Sequence, residues 1–471
     1  MISRSDKFGV RFFAIAFLLL GATLNALGQT PTATVPPLLQ DIKVHQPEQL
    51  SSIDNDTSLV KKTGSSSAVS AARANSSLAV LADVDIPGAS GVLIESLDGT
   101  RLVEYGSAMT FNPASNVKVA TAYAILKTFG PDYRFPTNIW TDGGIDRSTA
   151  TLKGNLYVSG RDPMFSYEHA VSIANELNRL GVRTIEGDLI VTDTFSIAHT
   201  SAASRTSQLL FNTLDASKRS SAAARNWSQF VNNSGQNGRL PLTPSVTFTG
   251  SAYVQPLPST LGLLFTHESA PMREILKVTL CYSNNFLSER LGDMLGGPSA
   301  VARIVHTNAA VPPSEFYIQT ASGLGINRVT PSAMMKLLRS FRHDLAKYQM
   351  TFADVMPVAG LDRGTLESRF DSDFSKGSIV GKTGTLGNTD GGVSSLAGEV
   401  STRNGRFLFV IFNQRGSVAR FRTFQNFFVS LFQGQLGGAV PLDYAPVSLE
   451  TRLARSRVVY PQQTQAAMGL Q

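Results

Sequence analysis

The chain has a single cysteine, Cys281, in 471 residues. No intrachain disulfide can form, so the fold must hold by packing alone. Histidine is scarce as well, six in all, and neither H-E-x-x-H nor C-x-x-C occurs. No metal-ligand spacing is present, and no metal or other cofactor is expected. Charged residues make up only 16% of the chain, with a net charge of +7. The basic residues are scattered, without a dense Lys/Arg run. That argues against a nucleic-acid partner and leaves weak attraction to an anionic membrane or cell-wall surface. The N-terminal apolar run Phe12–Leu20 falls short of the ~20 residues a membrane span needs.

What is present is enough apolar content, 42%, for a sizeable core and more than one domain. Residues 1–28 read as a secretory signal. Arg4, Lys7 and Arg11 precede the apolar run, and Ala26-Leu27-Gly28 offers small residues for cleavage. An uncleaved anchor is the alternative; either way the protein is expected to be exported, periplasmic or extracytoplasmic. Residues 29–80 are rich in Pro, Ser, Thr and Ala and read as a flexible linker. Gly91–Leu97 and Arg101–Tyr105 flank Asp98-Gly99, a hairpin signal. Leu152–Val158 and Gly187–Val191 read as strands around a helix over His169–Leu180. Residues 200–238, rich in Ser, Ala and Asn, read as a loose surface segment. Helices are expected over Met272–Tyr282, Phe286–Met294, Ser332–Phe341 and Arg420–Phe432, and strands over Val393–Glu399 and Arg406–Phe412. Beyond Gly437 the pattern weakens, and residues 438–471 read as a surface tail.

The chemistry lies in three short segments. Asn112-Pro113-Ala114-Ser115-Asn116-Val117-Lys118 opens an apolar helix, with Asn112 as a cap and Pro113 in the first turn. Ser115 and Lys118 are three apart and share a face. A hydroxyl beside an amine, at a helix start where backbone N–H groups converge, is the minimum equipment for acyl transfer. Alone the pattern means little, since Ser58-Leu59-Val60-Lys61 matches it too, in the linker. Its partners give it meaning: Ser283-Asn284-Asn285 at a helix–helix junction, then Lys382-Thr383-Gly384 on an expected strand. The ordered trio S-x-x-K, S-x-N, K-T-G is a signature shared by penicillin-binding proteins and class A β-lactamases. Lys62-Thr63-Gly64 is a second decoy in the linker. Ser283 and Asn285 are also candidate helix caps, Cys281 reads as a buried filler, and Asp162 reads as a turn residue before Pro163.

Across 85–435 the chain resembles the low-molecular-mass class C penicillin-binding proteins, the D-alanyl-D-alanine carboxypeptidase/endopeptidase (DacB-like) family. The resemblance rests on the three motifs together with Gly160-Arg161-Asp162-Pro163, Gly187-Asp188-Leu189, Ser322-Gly323-Leu324, Met356-Pro357-Val358-Ala359-Gly360 and Gly364-Thr365-Leu366. It implies an α/β (α+β) serine transpeptidase/β-lactamase-like domain, an antiparallel sheet flanked by helices, with an inserted smaller α+β domain. The expected division is 81–139 and 262–437 for the split catalytic part and 140–261 for the insert. Two departures stand out: Thr320-Ala321 where the family carries an acid before Ser-Gly-Leu, and an extra Gly387-Asn388-Thr389-Asp390-Gly391 after K-T-G-T.

The resemblance implies peptidoglycan stem peptides and β-lactams as partners. Ser115 would attack the D-Ala–D-Ala carbonyl, with Lys118 as base if burial or a nearby cation, Lys382 being the obvious one, lowers its pKa. Ser283 would pass a proton to the leaving amine. Asn285 would hold the substrate amide, and Lys382 and Thr383 its carboxylate. Gly384 would let the substrate approach the strand, and the N–H groups of Ser115 and Thr385 would bind the oxyanion. Three rivals remain. Gly377 to Thr383 resembles a phosphate loop, but one residue short between its glycines. A β-lactamase shares the motifs, though the class A glutamate for deacylation finds no match. A catalytically silent envelope scaffold is the third.

Overall fold

The computed structural model describes residues 73–200, 202–235 and 243–462. Two strand-rich segments from opposite ends of that chain build one sheet. The first is a hairpin, β1 (Ala89–Ser96) and β2 (Arg101–Tyr105), turning at Asp98-Gly99, where Asp98 Oδ1 accepts from the Thr100 N–H and Gly99 takes φ +96°. It leads to the helix α1 (Val117–Phe129). After an insert come α2 (Met272–Cys281), α3 (Asn285–Leu295) and α4 (Pro331–Lys347). The second segment is the meander β3 (Ile379–Leu386), β4 (Val393–Thr402) and β5 (Gly405–Gln414), closed by α5 (Val418–Gln435).

With the short strand Asn75–Ser76 the sheet order is Asn75–Ser76, β2, β1, β5, β4, β3, antiparallel throughout. Every residue of β4 is buried, as a central strand covered on both faces should be. On one face α5 lays Phe424, Phe428 and Phe432 against Val92, Ile94, Leu396, Phe409 and Ile411. Truncating the fully buried Phe428 to alanine would cost about 3–5 kcal/mol. The other face carries α1 and α4, where Tyr123 and Phe341 meet edge-to-face at 5.7 Å. β3 lies at the sheet edge, and the Met356–Gly360 segment covers only its first half. The Ala359 N–H bonds to the Ile379 carbonyl and the Gly381 N–H to the Pro357 carbonyl. From Lys382 to Leu386 no backbone among the described residues pairs with that edge.

The insert is a second α+β unit. Its larger sheet runs Ala252–Val254, Leu189–Val191, Leu156–Gly160, Pro136–Thr141, Gly262–Glu268, Arg457–Val459, with parallel and antiparallel pairs. Five sequence expectations are corrected here. Pro136–Thr141 and Gly262–Glu268 pair with each other in this sheet, although 139 and 262 were assigned to the catalytic part. The single strand expected over Leu152–Val158 breaks into Thr151–Lys153 and Leu156–Gly160, which enter different sheets. Gly154 between them has φ +150°, and a Cβ there would meet the Gly143 Cα at 2.7 Å.

The third correction concerns 200–238, which holds two helices, Ala203–Leu214 and Ser221–Asn233. Leu210 and Leu214, four apart, and Trp227 and Val231, four apart, give each a buried stripe, and Ser220 caps the second. Small-residue composition had hidden that spacing. Fourth, the stretch after 437 is anchored. Tyr444 donates to Asp362 at 2.7 Å, Arg452 pairs with Glu274 at 2.8 Å, and Arg457–Val459 adds an edge strand beside Gly262–Glu268. The expected linker likewise ends in structure, at Asn75–Ser76 and the short helix Ala79–Ala82. The signal segment and the two decoy motifs lie outside the described residues. No helix among the described residues is long and apolar enough to cross a membrane.

Candidate active site

Ser115 sits in a tight turn, Ala114–Asn116, that runs into α1. Asn112 caps that turn, not α1 itself: its Oδ1 accepts from the Ala114 N–H at 3.1 Å. The turn is pinned to the sheet by Ser395 of β4, whose hydroxyl donates to the Pro113 carbonyl and accepts from Asn116 Nδ2, both at 2.7 Å. Gly384, the β3 partner of Ser395, lies against the same spot. A Cβ there would stand 2.2 Å from Ser395 Oγ and 2.5 Å from the Pro113 carbonyl oxygen. The expected role of Gly384 is thus corrected. Its missing side chain makes room for the nucleophile turn, not for substrate.

Lys118 is 1% exposed and points back at Ser115, with Nζ 3.1 Å from Oγ. The same amine reaches Asn285 Oδ1 at 2.7 Å and the Ser322 carbonyl at 2.6 Å. Burial pulls its pKa down to about 7, with the Glu289 carboxylate opposing that shift. A neutral amine has two N–H donors and one lone pair. The two carbonyl oxygens take the donors, which leaves the lone pair for the Ser115 hydroxyl proton.

Ser283 lies between α2 and α3 with φ +54°, a left-handed conformation that costs a non-glycine residue about 1–2 kcal/mol. Neighbours enforce it. Asn284, one residue on, caps α3 through the Leu287 N–H at 3.0 Å, so neither Ser283 nor Asn285 serves as the cap. Gly364 packs directly on the Cys281 carbonyl, where a Cβ would come within 2.1 Å, and the Thr365 N–H bonds to that carbonyl at 2.9 Å. Held there, Ser283 Oγ accepts from Lys382 Nζ at 2.9 Å. Lys382 is fully buried and also reaches the Thr383 carbonyl at 2.7 Å. Burial first, then the charge of Lys118, keeps its amine well below the usual lysine range. Burial is therefore what lowers Lys118, while the mutual repulsion of the amines is felt at Lys382. Cys281 is no rival nucleophile, because burial pushes its thiol up to about 12.

β3 sorts its groups by parity. Gly381 donates outward to Pro357, so with a period of two the N–H groups of Thr383 and Thr385 also point to the open edge. Lys382 and Gly384 face the nucleophile turn, and the side chains of Thr383 and Thr385 face the side covered by α5. The structure brings Ser115, Lys118, Ser283, Asn285 and Lys382 into one cleft, with Thr383 and Thr385 along its rim.

Sequence reasoning missed Glu289. It sits four residues after Asn285 on α3 and accepts from the N–H groups of Ser322 at 2.9 Å and Ala321 at 3.2 Å. It thereby holds the loop whose Ser322 carbonyl receives the Lys118 amine. Its i, i+4 spacing from the S-x-N asparagine was the available signal.

A family model for D-Ala-D-Ala carboxypeptidase 3 (S13) matches residues 75–230 and 239–431. The chain belongs to that family. Membership makes it a serine-type D-Ala-D-Ala carboxypeptidase. The D-alanyl-D-alanine carboxypeptidase of an Actinomadura species is 26% identical, over 71% of this chain and 79% of that protein. Carboxypeptidase DacB of Mycolicibacterium smegmatis is 24% identical, over 73% and 80%. Among solved structures, a predatory endopeptidase from Bdellovibrio bacteriovorus, in complex with an immunity protein, aligns with a TM-score of 0.65 at 22% identity, covering 76% of this chain and 95% of that one. Penicillin-binding protein 4 of Haemophilus influenzae, complexed with a β-lactam, aligns at 0.54 and 20%, covering 74% and 96%.

The Thr320–Gly323 loop is held by Glu289 from α3. The loop after β3 places Asp390 against Arg328 at 2.9 Å and Asn112 Nδ2 at 2.8 Å, so one carboxylate ties that loop to the nucleophile segment.

Proposed function

We propose that this carboxypeptidase acts on peptidoglycan stem peptides, outside the cytoplasm, through an acyl-enzyme on Ser115. The observation that carries the reading is the Lys118 amine, whose two N–H donors are taken by Asn285 and Ser322 and whose lone pair is left for Ser115. Lys118 takes the Ser115 proton as Oγ bonds to the penultimate D-Ala carbonyl carbon. The oxyanion forms between the N–H groups of Ser115 and Thr385, each donor worth ~3–4 kcal/mol in the transition state. Ser283 accepts from Lys382, so its own hydroxyl proton is free for the leaving amine, and the proton on Lys118 restores it. Asn285 holds the substrate amide, and Lys382 and Thr383 lie toward the carboxylate end. Water then attacks the ester along the same proton path, which frees Ser115.

β-Lactams enter as analogues of the D-Ala–D-Ala terminus and stay on Ser115. The open edge of β3 also accepts a cross-linked stem peptide, which supports endopeptidase cleavage as a second activity. The test is mass spectrometry of the intact protein after benzylpenicillin. Wild type gains the mass of one penicilloyl group, and Ser115→Ala gains none. An adduct on the alanine variant, or none on folded wild type, overturns the reading.

A further inference from the structure

The two N–H groups that face the oxyanion come from distant parts of the chain, Ser115 in the nucleophile turn and Thr385 near the end of β3. Their spacing depends on what joins those parts. Ala114, just before Ser115, has φ +48°. A non-glycine residue seldom takes that left-handed conformation, and it persists only where the surroundings enforce it. The Ala114 backbone sets the plane of the Ala114–Ser115 peptide, and with it the direction of the Ser115 N–H.

Two contacts hold Ala114. Gly323 packs on its carbonyl, where a Cβ would come within 2.0 Å. Asn112, which is buried, accepts from the Ala114 N–H through Oδ1 at 3.1 Å. The amide of Asn112 is fixed from its other end. Nδ2 donates to the Gly325 carbonyl at 2.9 Å and to Asp390 Oδ2 at 2.8 Å.

Asp390 is where these ties converge. It follows Thr385 on the loop that leaves β3, at φ +51°, a conformation that aspartate and asparagine tolerate better than most residues. Arg328 meets its carboxylate fork to fork, Nη1 at 3.0 Å from Oδ2 and Nη2 at 2.9 Å from Oδ1. Val329, beside Arg328, exchanges two backbone bonds with Phe111 at 2.9 and 3.0 Å. The Asp390 carbonyl accepts from the Arg415 N–H at 3.2 Å, just past β5. One residue thus gathers the nucleophile turn, the loop that ends in Arg328 and the outlet of β3. A part-exposed ion pair adds little to stability by itself. Three donors drawn onto two oxygens beside the nucleophile act on geometry instead.

We propose that Asp390 is a positioning residue for the oxyanion hole: it clamps Asn112 and Arg328 so that the Ser115 N–H stays aligned with the Thr385 N–H. The inference rests on the acyl-enzyme reading above and adds what fixes the two donors to each other.

The test is acylation by benzylpenicillin over a range of drug concentrations, which separates the dissociation constant of the first complex from the rate constant of bond formation. Asp390→Asn keeps the tolerance for positive φ but offers a single acceptor oxygen to three donors. Its rate constant falls about 10- to 100-fold, the range for misplacing one oxyanion donor, while the dissociation constant stays within about threefold. The pH profile loses height without a move of its acid limb, because Asp390 is bonded to neither Lys118 nor Glu289. Arg328→Lys keeps the charge but loses the two-point contact. It gives a smaller fall in the same rate constant, and it carries the test if the asparagine variant does not fold. A rate constant within twofold of wild type in whichever folded variant is measured overturns the proposal. So does a loss carried by the dissociation constant, or an acid limb that moves. A wild type that forms no adduct sinks the acyl-enzyme reading, and the proposal with it.

Discussion

Glu289→Gln isolates a charge that sits one loop away from the catalytic base. Glutamine keeps an acceptor oxygen for the Ser322 N–H but removes the carboxylate that opposes the low pKa of Lys118. The path from Glu289 through Ser322 has contacts of 2.9 and 2.6 Å at its two ends. With the width of one residue between them, carboxylate and amine are at most roughly 9 Å apart. At an effective dielectric of ~20 that separation gives about 2 kcal/mol, equivalent to roughly one pKa unit once partial solvent screening is allowed for. A carboxylate stabilises the ammonium form, so its loss lowers the Lys118 pKa from its value of about 7. The assay is the second-order rate of acylation by benzylpenicillin across pH 5–9. The acid limb records the amine losing its proton, and Lys382 is the other charged group facing it, so the limb belongs to the two amines together. In Glu289→Gln the limb moves toward acid by about one unit. A limb that stays in place or moves toward alkali refutes the assignment of Glu289 as the counter-charge to Lys118.

Gly384→Ala drives a methyl group into Ser395 Oγ and the Pro113 carbonyl. It is expected to destabilise by about 1–3 kcal/mol and to slow acylation, read by thermal unfolding and by penicillin labelling. His267 is buried with neither ring nitrogen hydrogen-bonded among the described residues, and burial holds its pKa well below the ordinary value of 6.5. A depressed imidazole supports the fold while both states are neutral, and that support is lost as pH falls below about 6.5. His267→Leu should therefore flatten the fall in melting temperature between pH 6.5 and 5, and an unchanged slope would count against it. Asp162 has the opposite sign. Burial raises it from 3.8 to about 7, so stability is lost as pH rises from about 4 to about 7, and Asp162→Asn should lessen that loss, read as melting temperature between pH 4 and 7.

The catalytic trio was legible because each motif carries its local context with it. Pro113 and the apolar α1, the α2–α3 junction around Ser283, and the strand runs of β4 and β5 on either side of the Arg403-Asn404-Gly405 turn are all short-range signals, and the fold joins them as the order in sequence implied. Groups that act through the backbone were not legible. The Ser322 carbonyl is a ligand for Lys118 only because Gly323, at φ +88°, lets the loop close on Ala114. Side-chain identity says nothing of that contact. Arg422 reaches Thr385 across 37 positions, through the register of α5 on the sheet. The helices over Ala203–Leu214 and Ser221–Asn233 escaped notice because composition was weighed above the spacing of a few large residues. The anchored C-terminal stretch was missed for a similar reason, since its order comes from ion pairs with distant partners such as Glu274.

The half-covered flank of β3 has a consequence for what the cleft can read. A strand laid alongside it finds unpaired backbone groups only from Lys382 to Leu386, because Pro357 and Ala359 already occupy the positions before. A bound wall peptide thus gains main-chain pairing over a window of two or three residues and no more. Selection among longer or branched strands of the wall must fall to side chains beyond that window, and a small bicyclic drug can fill nearly all of the backbone recognition that the natural peptide enjoys.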